Sequence, residues 1–181
     1  MRKLANILLI AVALIIGACE GPVGPPGQDG DYSTGSVFEF QEDFTPGNNY
    51  SILKTFPSNI EIYESDVVLV YILWETDNGL DVWRLMPQTV FIRNQEENIF
   101  GEIIYNYDYT YENVRVFLEF TINEEDLLPS ETDGQWFRVA VVPADIVAKN
   151  DVSNFNSLLE TPELKIINLD VLNSDINSIR K

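Results

Sequence analysis

Histidine is absent from this 181-residue chain, and cysteine occurs once, at Cys19. The first absence removes the commonest general base, proton shuttle and zinc ligand together, so no Ser-His-Asp or Cys-His site can be assembled. The second excludes intramolecular disulfides, a Cys-x-x-Cys redox pair and a thiolate metal site. Positive charge is scarce as well: 11 Lys and Arg stand against 29 Asp and Glu, a net charge of −18. Affinity for nucleic acid rests on basic side chains that displace counterions. A surface this acidic repels phosphate backbones and anionic headgroups, and nucleic acid is excluded as a partner.

Apolar and aromatic residues are plentiful. The chain is 45% hydrophobic, with 10 Phe, 8 Tyr and 3 Trp, enough burial to offset the entropy of ordering a backbone. The length suits one domain with its own core.

Met1-Arg2-Lys3 forms a positive start, and Leu4 to Ile16 is an apolar run interrupted only by Asn6, shorter than a bilayer span requires. Gly17 and Ala18 then precede Cys19. This order, an apolar stretch, two small residues and a cysteine, resembles the bacterial lipobox. The resemblance implies removal of residues 1–18 as a signal peptide and acylation of Cys19, which would anchor the mature chain to a membrane rather than thread it through. The alternative is an ordinary secretory signal whose cleavage site happens to hold a cysteine.

From Gly21 the glycines recur every third residue, at 21, 24, 27 and 30, with Pro22, Pro25 and Pro26 between them. That period belongs to the collagen triple helix, where only glycine fits the crowded axis. Three triplets are too few to hold a triple helix by themselves, so residues 19–34 are expected to be a lipidated cysteine followed by a semi-rigid spacer. About twelve residues in polyproline II at ~3.1 Å each would reach on the order of 35 to 40 Å. A monomer is expected, with trimer nucleation as the alternative. The same glycines do not make a dinucleotide fingerprint, which needs Gly-x-Gly-x-x-Gly after a strand.

Beyond Gly35, short β-branched and aromatic runs alternate with turn residues and no βαβ alternation appears. The fold class expected is all-β, an antiparallel β-sandwich, immunoglobulin-like or jelly-roll-like, over residues 35–169. Strands are predicted near 36–44, 50–55, 60–63, 66–76, 80–86, 88–93, 99–109, 113–122, 135–142 and 164–169. Asn78-Gly79 suits a type I′ turn, which would set Asp77 opposite Leu80, Thr76 opposite Asp81 and Trp74 opposite Trp83. That pairing would put both tryptophans on the face that carries Val68, Val70, Ile72 and Leu85. Because Leu69, Tyr71 and Leu73 make the other face apolar too, 67–74 is expected to be a central strand covered on both sides. Residues 94–98 read as a polar hairpin connection and 143–148 as a helical turn, followed by an irregular stretch to Pro162. Residues 170–181 are expected to be a polar tail, irregular or a short helix, since Leu169, Leu172, Ile176 and Ile179 share a helical face among poor helix formers.

Two constellations bear on binding. Tyr105, Tyr107, Tyr109 and Tyr111 recur at period two, and on one exposed face they could stack on sugar rings; the alternative is that they face the core or rim the sheet. Carboxylates cluster at Glu39, Glu42 and Asp43, at Asp77 and Asp81, at Glu124, Glu125 and Asp126, and at Glu131 and Asp133. Hard oxygen ligands of this kind suit Ca²⁺, yet none of these runs matches an EF-hand loop, and no cofactor is otherwise implied. Paired carboxylates can hydrolyse glycosides without histidine, but no pair stands out here, and the protein is not expected to be an enzyme.

The lipobox, the Gly21-Pro22-Val23-Gly24-Pro25-Pro26-Gly27 tract and the runs 67–71, 81–88 and 139–145 together resemble the small collagen-like lipoproteins of Bacteroidota. The resemblance implies an outer-membrane lipoprotein with a β-domain, and it brings no catalytic residues; the role expected is a non-enzymatic interaction or structural one, with an unknown protein or glycan partner, and the alternative is a carbohydrate-binding module using the tyrosine face. Only Glu20 supplies an acidic residue between Cys19 and Gly21, leaving the cell-surface and periplasmic faces as alternatives.

Overall fold

The computed structural model describes residues 33–93, 98–162 and 164–170, all within the unit Tyr32–Lys181 into which the chain divides. Nine strands form two sheets: β1 Ser33–Glu42, β2 Ser51–Thr55, β3 Asp66–Asp77, β4 Leu80–Leu85, β5 Gln88–Arg93, β6 Ile99–Tyr109, β7 Asn113–Phe120, β8 Gln135–Pro143 and β9 Leu164–Asp170. One sheet has the order β4-β3-β8-β1-β9 and the other β2-β7-β6-β5. Three short helices, α1 Pro129–Thr132, α2 Ala144–Lys149 and α3 Phe155–Leu159, lie in the connections that flank β8. The class is all-β and sandwich-like, as the periodicity predicts.

The space between the sheets is filled by alternate residues of the strands. Phe38 from β1, Val68, Val70 and Ile72 from β3, Ile103 and Tyr105 from β6, Val114, Val116 and Leu118 from β7, and Phe137, Val139 and Val141 from β8 are all buried there. Phe44 stands edge-on to Phe137 at 5.8 Å between centroids, the geometry that the ring quadrupoles favour. A second apolar cluster lies on the outer face of the five-stranded sheet. Val37, Leu69, Tyr71, Ala140 and Val142 are covered there by Ile146 of α2 and by Phe155 and Leu158 of α3. Strand β3 is therefore central, between β4 and β8, and buried on both faces, which is why 67–74 is apolar without interruption. The Tyr71 hydroxyl donates to the Val152 carbonyl at 2.6 Å and ties the α2–α3 connection to the sheet.

One pairing departs from the antiparallel expectation: β9 runs parallel to β1. The chain leaves β8 beside the start of β1, crosses the outer face as α2 and α3, and returns at the same end to the far side of β1. A strand that re-enters there is antiparallel to β8 and hence parallel to β1. The stretch before Pro162 is accordingly not wholly irregular, since Phe155–Leu159 is helical with Asn154 Oδ1 accepting from the Asn156 N–H at 2.9 Å. Residues 60–63 form no strand. Ile60 and Ile62 meet the core from a loop, so an apolar i, i+2 pair is satisfied without a ladder.

The β3–β4 hairpin turns at Asn78 (φ 50°) and Gly79 (φ 81°), with Asp77 opposite Leu80 and Thr76 opposite Asp81 as expected. The register then shifts between Leu73 and Glu75, a bulge that leaves Trp74 without a partner and sets Leu73 opposite Trp83. The expected Trp74–Trp83 pair does not form. Trp74 turns inward, edge-on to Tyr105 at 6.4 Å, while Trp83 and Leu85 join the outer cluster. The tail 171–181, with Leu172, Ile176 and Ile179, lies outside the described residues, as do loop residues 94–97.

Candidate functional site

Cys19 and the glycine tract also lie outside the described residues. Among the described residues no helix is long and apolar enough to cross a membrane.

The tyrosine row does not form one exposed face. Tyr105 is 4% exposed, its hydroxyl donating to the Glu131 carbonyl at 2.9 Å, and Tyr107 is half-buried with its hydroxyl on the Val68 carbonyl at 3.2 Å. Tyr109 and Tyr111 are exposed. The period of two places Tyr105, Tyr107 and Tyr109 on the inner side of β6, and the strand carries them progressively out of the sandwich. Burial pushes the Tyr105 and Tyr107 phenols above their ordinary pKa, as it does that of Tyr71. The inner rings are held by core packing and backbone carbonyls, so they offer no platform for a sugar.

Most of the named carboxylates have local partners. Glu42 pairs with Lys54, Asp43 accepts from the Gly134 N–H, Asp77 accepts from the Asn78 amide and Asp81 from the Thr76 hydroxyl. Glu131 accepts from the Leu128 N–H in front of α1, and Asp133 from the Thr132 hydroxyl. Among the described residues no three carboxylates converge closely enough to hold a metal ion.

Glu39 is different, because its side chain is only 1% exposed. It lies on β1 directly across from Arg138 on β8, and the two form an ion pair with the Arg138 Nε–H donating to Glu39 Oε1 at 2.5 Å. The guanidinium is held between two rings, 4.0 Å from the centroid of Trp83 and 4.3 Å from that of Phe155. Through Phe155 this clamp joins β4, β8 and β1 to α3. It is a structural fastening, in which the two opposite charges neutralise each other.

A cleft of about 370 Å³ lies at the end of the sandwich where β1 begins. Its floor is made by Thr34 and Ser36 of β1, Val141 and Pro143 of β8, and Asp66 of β3; its wall is the loop that carries Asn59, Glu61, Tyr63 and Ser65. Position 36 shares its face with Phe38 and Phe40, so the inner face of β1 changes from apolar to polar as it reaches the mouth. Tyr63 organises the wall. Its phenol donates to Glu61 Oε2 at 2.8 Å and its backbone N–H donates to Asp66 Oδ2 at 2.9 Å, while its ring is 59% exposed. The hydrogen bond to the Glu61 carboxylate, with that carboxylate's charge, raises the Tyr63 pKa and keeps the phenol protonated as a donor. Among the described side chains, no lysine or arginine lines the cleft.

None of these cleft residues stands out in the sequence as a motif. The one available signal is the polar pair Thr34 and Ser36 at positions where the alternation of β1 calls for apolar side chains. No family model, curated protein or solved structure matches the chain.

Proposed function

We propose that the chain is a lipid-anchored binding protein of the bacterial cell envelope, without enzymatic activity. The carrying observation is Cys19. The chain has one cysteine, and it follows an apolar run and two small residues, the arrangement that lipoprotein processing requires. Acylated there, the mature chain would be an outer-membrane lipoprotein of the collagen-like kind that the sequence resembles. The tract from Gly21 to Gly30 would lift the sandwich from the lipid surface as a polyproline-like spacer. The monomer is the state proposed, since a tract of three triplets is too short to gather three chains.

A binding role agrees with the domain itself. Both faces of its five-stranded sheet are buried, the buried Glu39–Arg138 pair serves packing, and its cleft presents acceptors and hydroxyls beside an exposed aromatic ring. The test is fractionation of cells expressing the chain and its Cys19→Ser variant. The native chain should sediment with membranes and dissolve in detergent, whereas Cys19→Ser should appear in the soluble fraction. Membrane retention of the variant would contradict the anchor.

A further inference from the structure

From the cleft at the start of β1 we infer a binding site for a primary alkylammonium group. This deepens the binding role proposed above by giving it a ligand class, and its test does not depend on the anchor.

Acidic residues alone do not make a site, and Glu61 and Asp66 would carry little weight without Ser36. Ser36 is 9% exposed, lines the cleft and is placed on the inner face of β1. Its hydroxyl makes no hydrogen bond to any described residue, yet it is not a buried orphan, because every fully enclosed side-chain polar atom among the described residues is satisfied. Its oxygen therefore reaches the open volume of the cleft. A polar side chain so withdrawn, left without a partner among the described residues and turned into a cavity, is placed to meet a polar ligand.

The balance of donors and acceptors selects the chemistry. Glu61 and Asp66 bring four carboxylate oxygens, and only two of these take up the donors of Tyr63. Neither carboxylate is ion-paired with a described residue. The strongest donor in the wall, the Tyr63 hydroxyl, is committed to Glu61. A neutral sugar could use the hydroxyls of Thr34, Ser36 and Ser65, but it would leave the charges of Glu61 and Asp66 uncompensated. An alkylammonium brings three N–H donors and a positive charge and needs no donor in return, and the exposed face of Tyr63 suits a cation. The net charge of −18 favours the encounter, and affinity should fall with added salt. A free amine and a lysine side chain both bear this group, and the chemistry recognised is the same.

The test is calorimetric titration of the full chain carrying Cys19→Ser with cadaverine, with N-acetyl-lysine amide, and with glucose and pentanol as uncharged controls. At least one of the two amines is expected to bind saturably, and whichever does identifies the source. Each of Glu61→Gln, Asp66→Asn and Ser36→Ala should weaken that binding by about tenfold, the worth of one hydrogen bond to a charged group. The melting temperature of Ser36→Ala should stay that of the parent, because its hydroxyl bonds to no described residue, so lost binding in that variant cannot be ascribed to unfolding. Three results would overturn the assignment: no saturable binding of either amine, amine binding that all three substitutions leave unchanged, or glucose binding as tightly as the amines. None of these bears on the fractionation of Cys19→Ser, so the cleft and the anchor fail separately.

Discussion

Changing Glu39 to glutamine should cost the domain about 3 to 5 kcal/mol, the penalty of breaking a buried ion pair from one side. The side chains of Glu39 and Arg138 are 1% and 15% exposed, so the carboxylate is withdrawn from water and the guanidinium largely so. At an effective dielectric of about 20, unit charges ~4 Å apart attract by ~4 kcal/mol, in line with that range. Glutamine keeps the shape and one acceptor oxygen but removes the charge. The guanidinium keeps the rings of Trp83 and Phe155 but loses the carboxylate charge beside it. Against a total stability of about 5 to 15 kcal/mol this is a large fraction. At roughly 2 to 4 °C per kcal/mol it lowers Tm by about 6 to 20 °C. Urea unfolding followed by tryptophan fluorescence is the assay, with Trp83 reporting directly from the clamp. A double variant, Glu39→Leu with Arg138→Met, should recover much of the loss, because it removes both desolvated charges while refilling the space. The reasoning is refuted if Glu39→Gln costs less than about 1 kcal/mol, the worth of a surface pair, or if the double variant loses as much as its two single changes summed.

Two further outcomes follow from the core. Tyr71 and Tyr105 have phenols raised by burial above the ordinary value of 10.0. Below that value both states keep the protons and stability is flat; above it the unfolded chain loses them while the folded chain holds them, so stability falls as pH rises. Alkaline unfolding should therefore set in above about pH 10, and Tyr105→Phe should move its midpoint upward relative to the variant's own stability at neutral pH; an unmoved midpoint would show that these groups do not set it. Gly101 is required by packing, since a Cβ there would lie 2.3 Å from Ile122 Cγ2 and 3.3 Å from Thr121 Oγ1. Gly101→Val should destabilise by about 1 to 3 kcal/mol in the same urea assay, and a neutral result would mean that the Ile122 side chain moves aside freely.

The parts of the fold that were legible in the sequence are those fixed by local chemistry. Asn78-Gly79 defines its turn because both residues accept positive φ, and the doubly apolar run 67–74 declares a central strand. What was illegible depends on distant partners. The bulge at Trp74 inserts one residue between paired strands, and a register shift of one exchanges faces, so Trp83 and Leu85 move to the outer cluster. The parallel edge at β9 depends on where α2 and α3 are laid down, which no periodicity in 164–170 encodes. The tyrosine row has a clear period but no sign to say which side is inward, and the core takes Tyr105 and Tyr107. The cleft escaped because its groups come from three strands and a loop. Only Thr34 and Ser36, polar where β1 should be apolar, marked its position.

The anchor at Cys19 is the central claim, and mass spectrometry of the purified mature chain tests it most directly. The account predicts an N-terminal peptide that begins at Cys19 and carries two or three acyl chains. A peptide that begins elsewhere, or a Cys19 with a free thiol and a free amine, would contradict it.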